Sequence, residues 1–455
     1  MVTPCTAVRW PVRLACLSII VGAILIGACD AERNGNVGVE RIQVWAHAGR
    51  EAERRTLEHQ IALFEARHPT VAVELTFIPE GSYNGQVQAA ALAGQLPDLL
   101  ELDGPYMAAY AWRGWLAPLS DRLPPDLLAD LLPSLIDQGT WRGTLYALGP
   151  FDSGLGLWAD RRTLDAVGAR IPGHPSEAWS LEEFEALLER LAARDPGQPV
   201  LDLKLNYGDE WFTYAFSPLL QSAGAGLVAA NAEGAAGVLD GPASVAVLER
   251  VQRWFARGWV DPNLDDAAFR LGRVPLAWGG HWNAPAYRDA LGEDLLLLPL
   301  PRAGSRSVSG QGSWQWAISS RARDPDRAAE LLAFLLAPDQ VLAISAANGA
   351  VPARLSAIDR SADYGEDGPL RLFVAQLRDG YTQPRPKTPA YPVISETFAR
   401  AFRDIRHGAD VGATLTRAAQ RIDREMAANR HYPHTHLDDR AGAAASALGN
   451  EQEPG

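Results

Sequence analysis

The chain has 455 residues, 47% of them apolar, and a net charge of -13 at pH 7. That is enough chain for two folded domains, and the surplus of acids opposes a phosphate backbone, which excludes nucleic acid as a partner. Its three cysteines, Cys5, Cys16 and Cys29, all lie at the N-terminus, so no disulfide framework supports the rest of the chain.

Arg9 and Arg13 precede a charge-free apolar run from Leu14 to Ala28, the pattern of an export signal. The run is shorter than the roughly 20 apolar residues a membrane-spanning helix needs, so cleavage is expected, with residues 1–28 removed. Leu25-Ile26-Gly27-Ala28-Cys29 resembles the bacterial lipobox, which implies a diacylated Cys29 as the first mature residue and the membrane anchor. Asp30 resembles the signal that retains such lipoproteins at the periplasmic face of the inner membrane. Residues 29–40 are polar and glycine-containing, as a tether should be.

Arg41 to Ala46 reads as a strand, Glu51 to His68 as a helix with Leu57, Ile61 and Phe64 at helical spacing, and Val71 to Phe77 as a second strand. A further strand at Leu99 to Leu102 leads into a helix from Tyr106 to Trp115. Recurring strand-helix units predict an α/β fold. Ser180 and Glu183 cap a helix over Leu181 to Arg194, and Pro325 to Leu336 forms another, stopped by Pro338. Residues 437–455 lack an apolar period and are expected to be disordered.

Several segments in order resemble the family 1 extracellular solute-binding proteins of ABC sugar importers, the maltose- and trehalose-binding group. They include Leu96-Pro-Asp-Leu-Leu-Glu-Leu-Asp103, Gly143-Thr-Leu-Tyr-Ala-Leu-Gly-Pro150, Gly154-Leu-Gly-Leu-Trp158 and Gly349-Ala-Val-Pro-Ala-Arg354. The resemblance implies a two-lobed periplasmic-binding-protein fold, type II-like, each lobe a mainly parallel sheet flanked by helices, with several hinge crossovers. Residues 41–149 and 321–360 are assigned to the N-terminal lobe, and 150–320 with 361–430 to the C-terminal lobe and hinge return. It also implies a small-molecule carbohydrate as ligand, ABC permease subunits as partners, a monomer, and no enzymatic step.

A sugar presents apolar C–H faces and a rim of hydroxyls, so its site needs aromatic plates and planar polar groups. Trp278-Gly-Gly-His-Trp282 and Gly312-Ser-Trp314-Gln-Trp316 supply both, with small residues beside the indoles. Trp282 and Trp314 are assigned to ligand and Trp278 with them, while Trp141, Trp158, Trp179 and Trp254 are assigned to the core. Trp211 reads either way. Asp103, at the carboxyl end of a strand, is assigned as a hydroxyl acceptor, and His47 lies at the expected cleft. Glu53 is either a ligand carboxylate or an acid favoured by the helix dipole. Asp152 serves ligand or hinge, and Arg385 is a cleft arginine or a solvated charge between prolines. No histidine, cysteine or acid spacing fits a metal, and no cofactor is expected. The alternatives are a non-sugar solute such as glycerol phosphate or a polyamine, and an exported carbohydrate-active enzyme with paired carboxylates.

Overall fold

Alternation in strand β1 (Glu40–His47) turns Ile42, Val44 and Ala46 inward, against helix α1 (Glu51–Arg67), which contributes Leu57, Ile61 and Phe64. The computed structural model describes residues 39–433 except 232 and 313. The signal segment, Cys29, the tether and the 437–455 tail lie outside the described residues.

Strand β1 pairs in parallel with β2 (Val71–Ile78) and β3 (Leu99–Asp103). All five residues of β3 are buried, as expected of a central strand covered on both faces. The sheet continues through a strand at Trp314–Ile318, antiparallel to β3, and ends on β4 (Ala147–Leu148). The strand carrying Trp314 therefore belongs to the first lobe, which corrects the boundary at residue 320. The returning strand covers the edge of β3, whose five residues are all buried.

The second sheet has the order Leu295–Leu298, β5 (Leu155–Asp160), Leu276–Gly280, β6 (Leu201–Asp202). Here β5 is antiparallel to both neighbours and only β6 pairs in parallel. The expectation of a mainly parallel sheet holds for the β2, β1, β3 half of the first lobe and not for the second. Strand β5 arrives from the other lobe instead of from a helical crossover, and that route sets its direction. Helix α2 (Asp209–Ser222) and the late helix α3 (Tyr391–Arg406) pack on this lobe, with Phe212, Phe216, Phe398 and Phe402 in contact. Trp141, Trp158, Trp179 and Trp254 are all buried, as assigned.

Among the described residues, the segments between the lobes pair with one another. Phe151–Asp152 pairs with Val351–Pro352, Ser309–Gln311 pairs with Thr382–Pro384, and Gly154 bridges to Gln311. Asp152 lies inside this hinge with no exposed surface. Its Oδ2 accepts from Ser134 Oγ (2.7 Å) and Gln138 Nε2 (3.1 Å), and its Oδ1 accepts from the Ser153 N–H (2.8 Å). Burial pushes its carboxyl above the ordinary range against these donors. These partners fit the hinge reading of Asp152.

Candidate functional site

The carboxyl ends of β1 and β3, the N-terminus of α1 and the turn after Leu276–Gly280 meet across the interlobe crevice. Loops at strand carboxyl ends carry the ligand chemistry of open α/β sheets. A small cavity on the first-lobe side is lined by His47, Glu53, Glu101, Phe151 and Trp316 among others.

His47 ends β1 with its backbone N–H donating to Glu101 Oε2 (3.0 Å) and its Nδ1 2.7 Å from the same oxygen. Its Nε2 lies 3.7 Å from Glu53 Oε1. Burial alone would lower the imidazole pKa, but the charges of Glu101 and Glu53 and the bond to Glu101 outweigh it and hold the ring well above its usual value. Glu53 also takes Asn348 Nδ2 (3.0 Å) and the Arg50 N–H (3.4 Å) at the helix N-terminus. Against its desolvation, these contacts and His47 bring its carboxyl down to about 2.

Trp314 opens its strand instead of lying in a loop, and the register sets it opposite Asp103 and Trp316 opposite Glu101. Its indole stacks on His47 with ring centroids 4.1 Å apart and planes 3° from parallel. Across the crevice, Trp282 sits in a short 3-10 turn at His281–Asn283. Its Nε1–H donates to the Tyr207 hydroxyl (3.4 Å), and its ring meets Trp211 at 6.0 Å and Tyr214 at 6.3 Å. Trp282 and Trp314 are both only partly buried.

Trp211 is buried behind Trp282, its Nε1–H held by the Leu203 carbonyl (2.8 Å). It supports the aromatic cluster from below. Trp278 is a correction to the sequence reading: it has no exposed surface and packs on Phe216 at 6.1 Å. Alternation along Leu276–Gly280 turns its ring into the second lobe's core.

Asp103 and Arg385 also differ from expectation, because each takes the other as partner. Arg385 Nη2 donates to Asp103 Oδ1 (2.9 Å), and Nη1 donates to Asp103 Oδ2 (3.1 Å) and Glu210 Oε1 (2.6 Å). The guanidinium lies 4.7 Å over the Tyr214 ring, and Tyr391 and Ser395 hydroxyls donate to Glu210. Both residues are buried, and together they bond β3, the return segment and α2, a structural role that the sequence reading did not include. The two prolines around Arg385 gave no sign of this.

Four neighbours of the site escaped the sequence reading. Arg50 reaches across to Asn283 Oδ1 (3.1 Å) and lies 3.5 Å from Asp266. The Tyr207 hydroxyl lies 3.1 Å from Asp266 Oδ2 and 3.2 Å from Asn283 Oδ1. Beneath them Lys204, fully buried in a left-handed conformation, pairs with Asp202 (2.7 Å) and Asp266 (2.9 Å). Asn283 directly follows Trp282 in the sequence, and Tyr207 lies four residues before Trp211.

Gly280 permits the turn, because a Cβ there would overlap the six-membered ring of Trp282. Gly280→Ala is expected to displace that indole and lose about 1–3 kcal/mol of stability. Urea unfolding and indole emission measure the two effects.

Residues 59–370 match the sequence profile of the family described as bacterial extracellular solute-binding protein. The chain is 39% identical over 134 residues to a mannitol-binding protein of Pseudomonas aeruginosa, covering 28% of this chain and 29% of that protein. It is 30% identical over 166 residues to an uncharacterized lipoprotein of Streptomyces antibioticus, covering 33% and 35%. These matches span about a third of the relatives' lengths. The fold superimposes on an ABC transporter solute-binding protein from Thermotoga lettingae, bound with α-D-tagatose, at TM-score 0.74 and 20% identity, covering 85% of this chain and 99% of that one.

Proposed function

This chain belongs to the bacterial extracellular solute-binding protein family, and from that premise we propose that it captures a small neutral sugar or sugar alcohol and delivers it to an ABC permease. The observation that carries the reading is a partly exposed indole on each lobe, Trp314 stacked on His47 and Trp282 beside Asn283, with the Arg50–Asn283 bond crossing from one lobe to the other. Near them stand donors and acceptors on planar groups, namely Arg50, Glu53, Asn283 and Asp266. Indoles offer faces to C–H surfaces, and the mixed polar rim suits hydroxyls better than a single ionic group. The names of the relatives, a mannitol binder and a tagatose-bound protein, agree with that chemistry.

Anchoring through Cys29 at the periplasmic face is part of the same proposal. It is supported by the lipobox-like segment and by the partial match to a lipoprotein.

The test is a thermal-shift and tryptophan-emission screen of mannitol, tagatose, maltose and maltotriose against glycerol 3-phosphate and spermidine. A ligand at 100 times its Kd should stabilise the protein by about 2.7 kcal/mol. A response only to the phosphate or the amine, or turnover of a bound oligosaccharide, would overturn the sugar reading. For the anchor, Cys29→Ser should abolish palmitate labelling and move the protein to the soluble fraction.

A further inference from the structure

We propose that Glu101 is a positioning residue for the ligand platform, fixing the plane of the Trp314 indole through the two rings that hold it. The inference rests on the sugar-binding reading of the cleft. Glu101 itself is buried, at the floor of the small cavity beside His47. Its carboxylate takes both the backbone N–H and Nδ1 of His47, at 3.0 and 2.7 Å. Its carbonyl takes the Tyr83 hydroxyl at 2.5 Å. The His47 ring then lies flat on Trp314, and the Tyr83 ring meets it edge-on at 5.1 Å and 79°. One residue of β3 thus holds two of the rings that meet the indole, and the register places Asp103, two residues on, directly opposite Trp314.

The charge on His47 is part of the cradle, since a cation over an indole face adds attraction beyond contact area. The charged groups that line its cavity are Glu101 on β3 and Glu53 and Arg54 on α1, and Tyr83 on the helix Glu80–Ala93 meets the same indole. The carboxylates prevail and hold the imidazole above its usual range. An indole held in one orientation loses less freedom when ligand arrives.

The experiment uses the full-length protein. Emission of wild type minus that of Trp314→Phe, recorded without ligand from pH 6 to 10, isolates Trp314, because an imidazolium in contact quenches an indole and a neutral imidazole does so less. One alkaline transition is expected as His47 loses its proton. Glu101→Gln should lower its midpoint by about 1–3 pH units and weaken binding of mannitol or maltotriose about threefold to tenfold. Should Glu101→Gln not fold, Glu101→Asp, which draws the carboxylate back from Nδ1, should lower the midpoint in the same direction. A flat difference titration, or a midpoint unmoved by the Glu101 variant, would sink the proposal. If wild type binds neither probe, the sugar reading fails for those ligands, while the ligand-free titration still decides the role of Glu101.

Discussion

Arg385→Ala is expected to lose about 3–5 kcal/mol of folding stability, because it removes one member of a buried ionic set and strands the others. The guanidinium is bidentate to Asp103 and also bound to Glu210. Without it two carboxylates from different lobes face each other with little water. Burial already raises the Glu210 carboxyl above the ordinary range, with Asp103 adding to the shift and Arg385 opposing it. Deleting the arginine raises it further. The folded state then binds more protons than the unfolded state, so the variant's stability falls as pH rises through that elevated pKa and recovers toward acid. Urea unfolding at pH 5 and pH 8 should show the larger loss at pH 8. Ligand affinity of the folded fraction should change little. Full stability with abolished binding would instead make Arg385 a ligand contact.

The second large effect separates tryptophans that sequence position alone treated alike. Trp278→Ala should lose about 3–5 kcal/mol of stability, the cost of emptying a buried indole site, since the side chain has no exposed surface. Trp314→Ala should instead lose about 1–3 kcal/mol of sugar affinity with a smaller loss of stability, since that ring is partly exposed. Isothermal titration and chemical unfolding of both variants provide the comparison. A stability loss at Trp314 as large as at Trp278, with affinity intact, would make Trp314 another core residue.

The local signals that the sequence states clearly are the ones the structure repeats. The Ser180 and Glu183 capping box opens Leu181–Arg194 as expected, and β1, α1 and β2 begin and end within one residue of the periodic pattern. Helices Tyr391–Arg406 and Val411–Ala428 were missed although Ile394, Phe398, Phe402 and Ile405 recur at helical spacing. There the pattern was legible and unused. The strand at Trp314–Ile318 was not legible in the same sense. Its five residues suit either sheet, and only pairing with Leu99–Asp103 decides between them. Site residues divide similarly. Glycines beside Trp282 and Trp314 marked indoles near a crevice, but the same signal misplaced Trp278, because one-residue alternation sends neighbours to opposite faces. Whether Asp103 meets a hydroxyl or Arg385 depends on two segments 282 residues apart, a distance no local motif spans.

The contact from Arg50 to Asn283 joins the α1 end of one lobe to the turn that carries Trp282 on the other. On the proposed sugar reading, a solute that displaces this bond binds with an apparent Kd equal to the intrinsic one divided by the fraction of protein in which the bond is open.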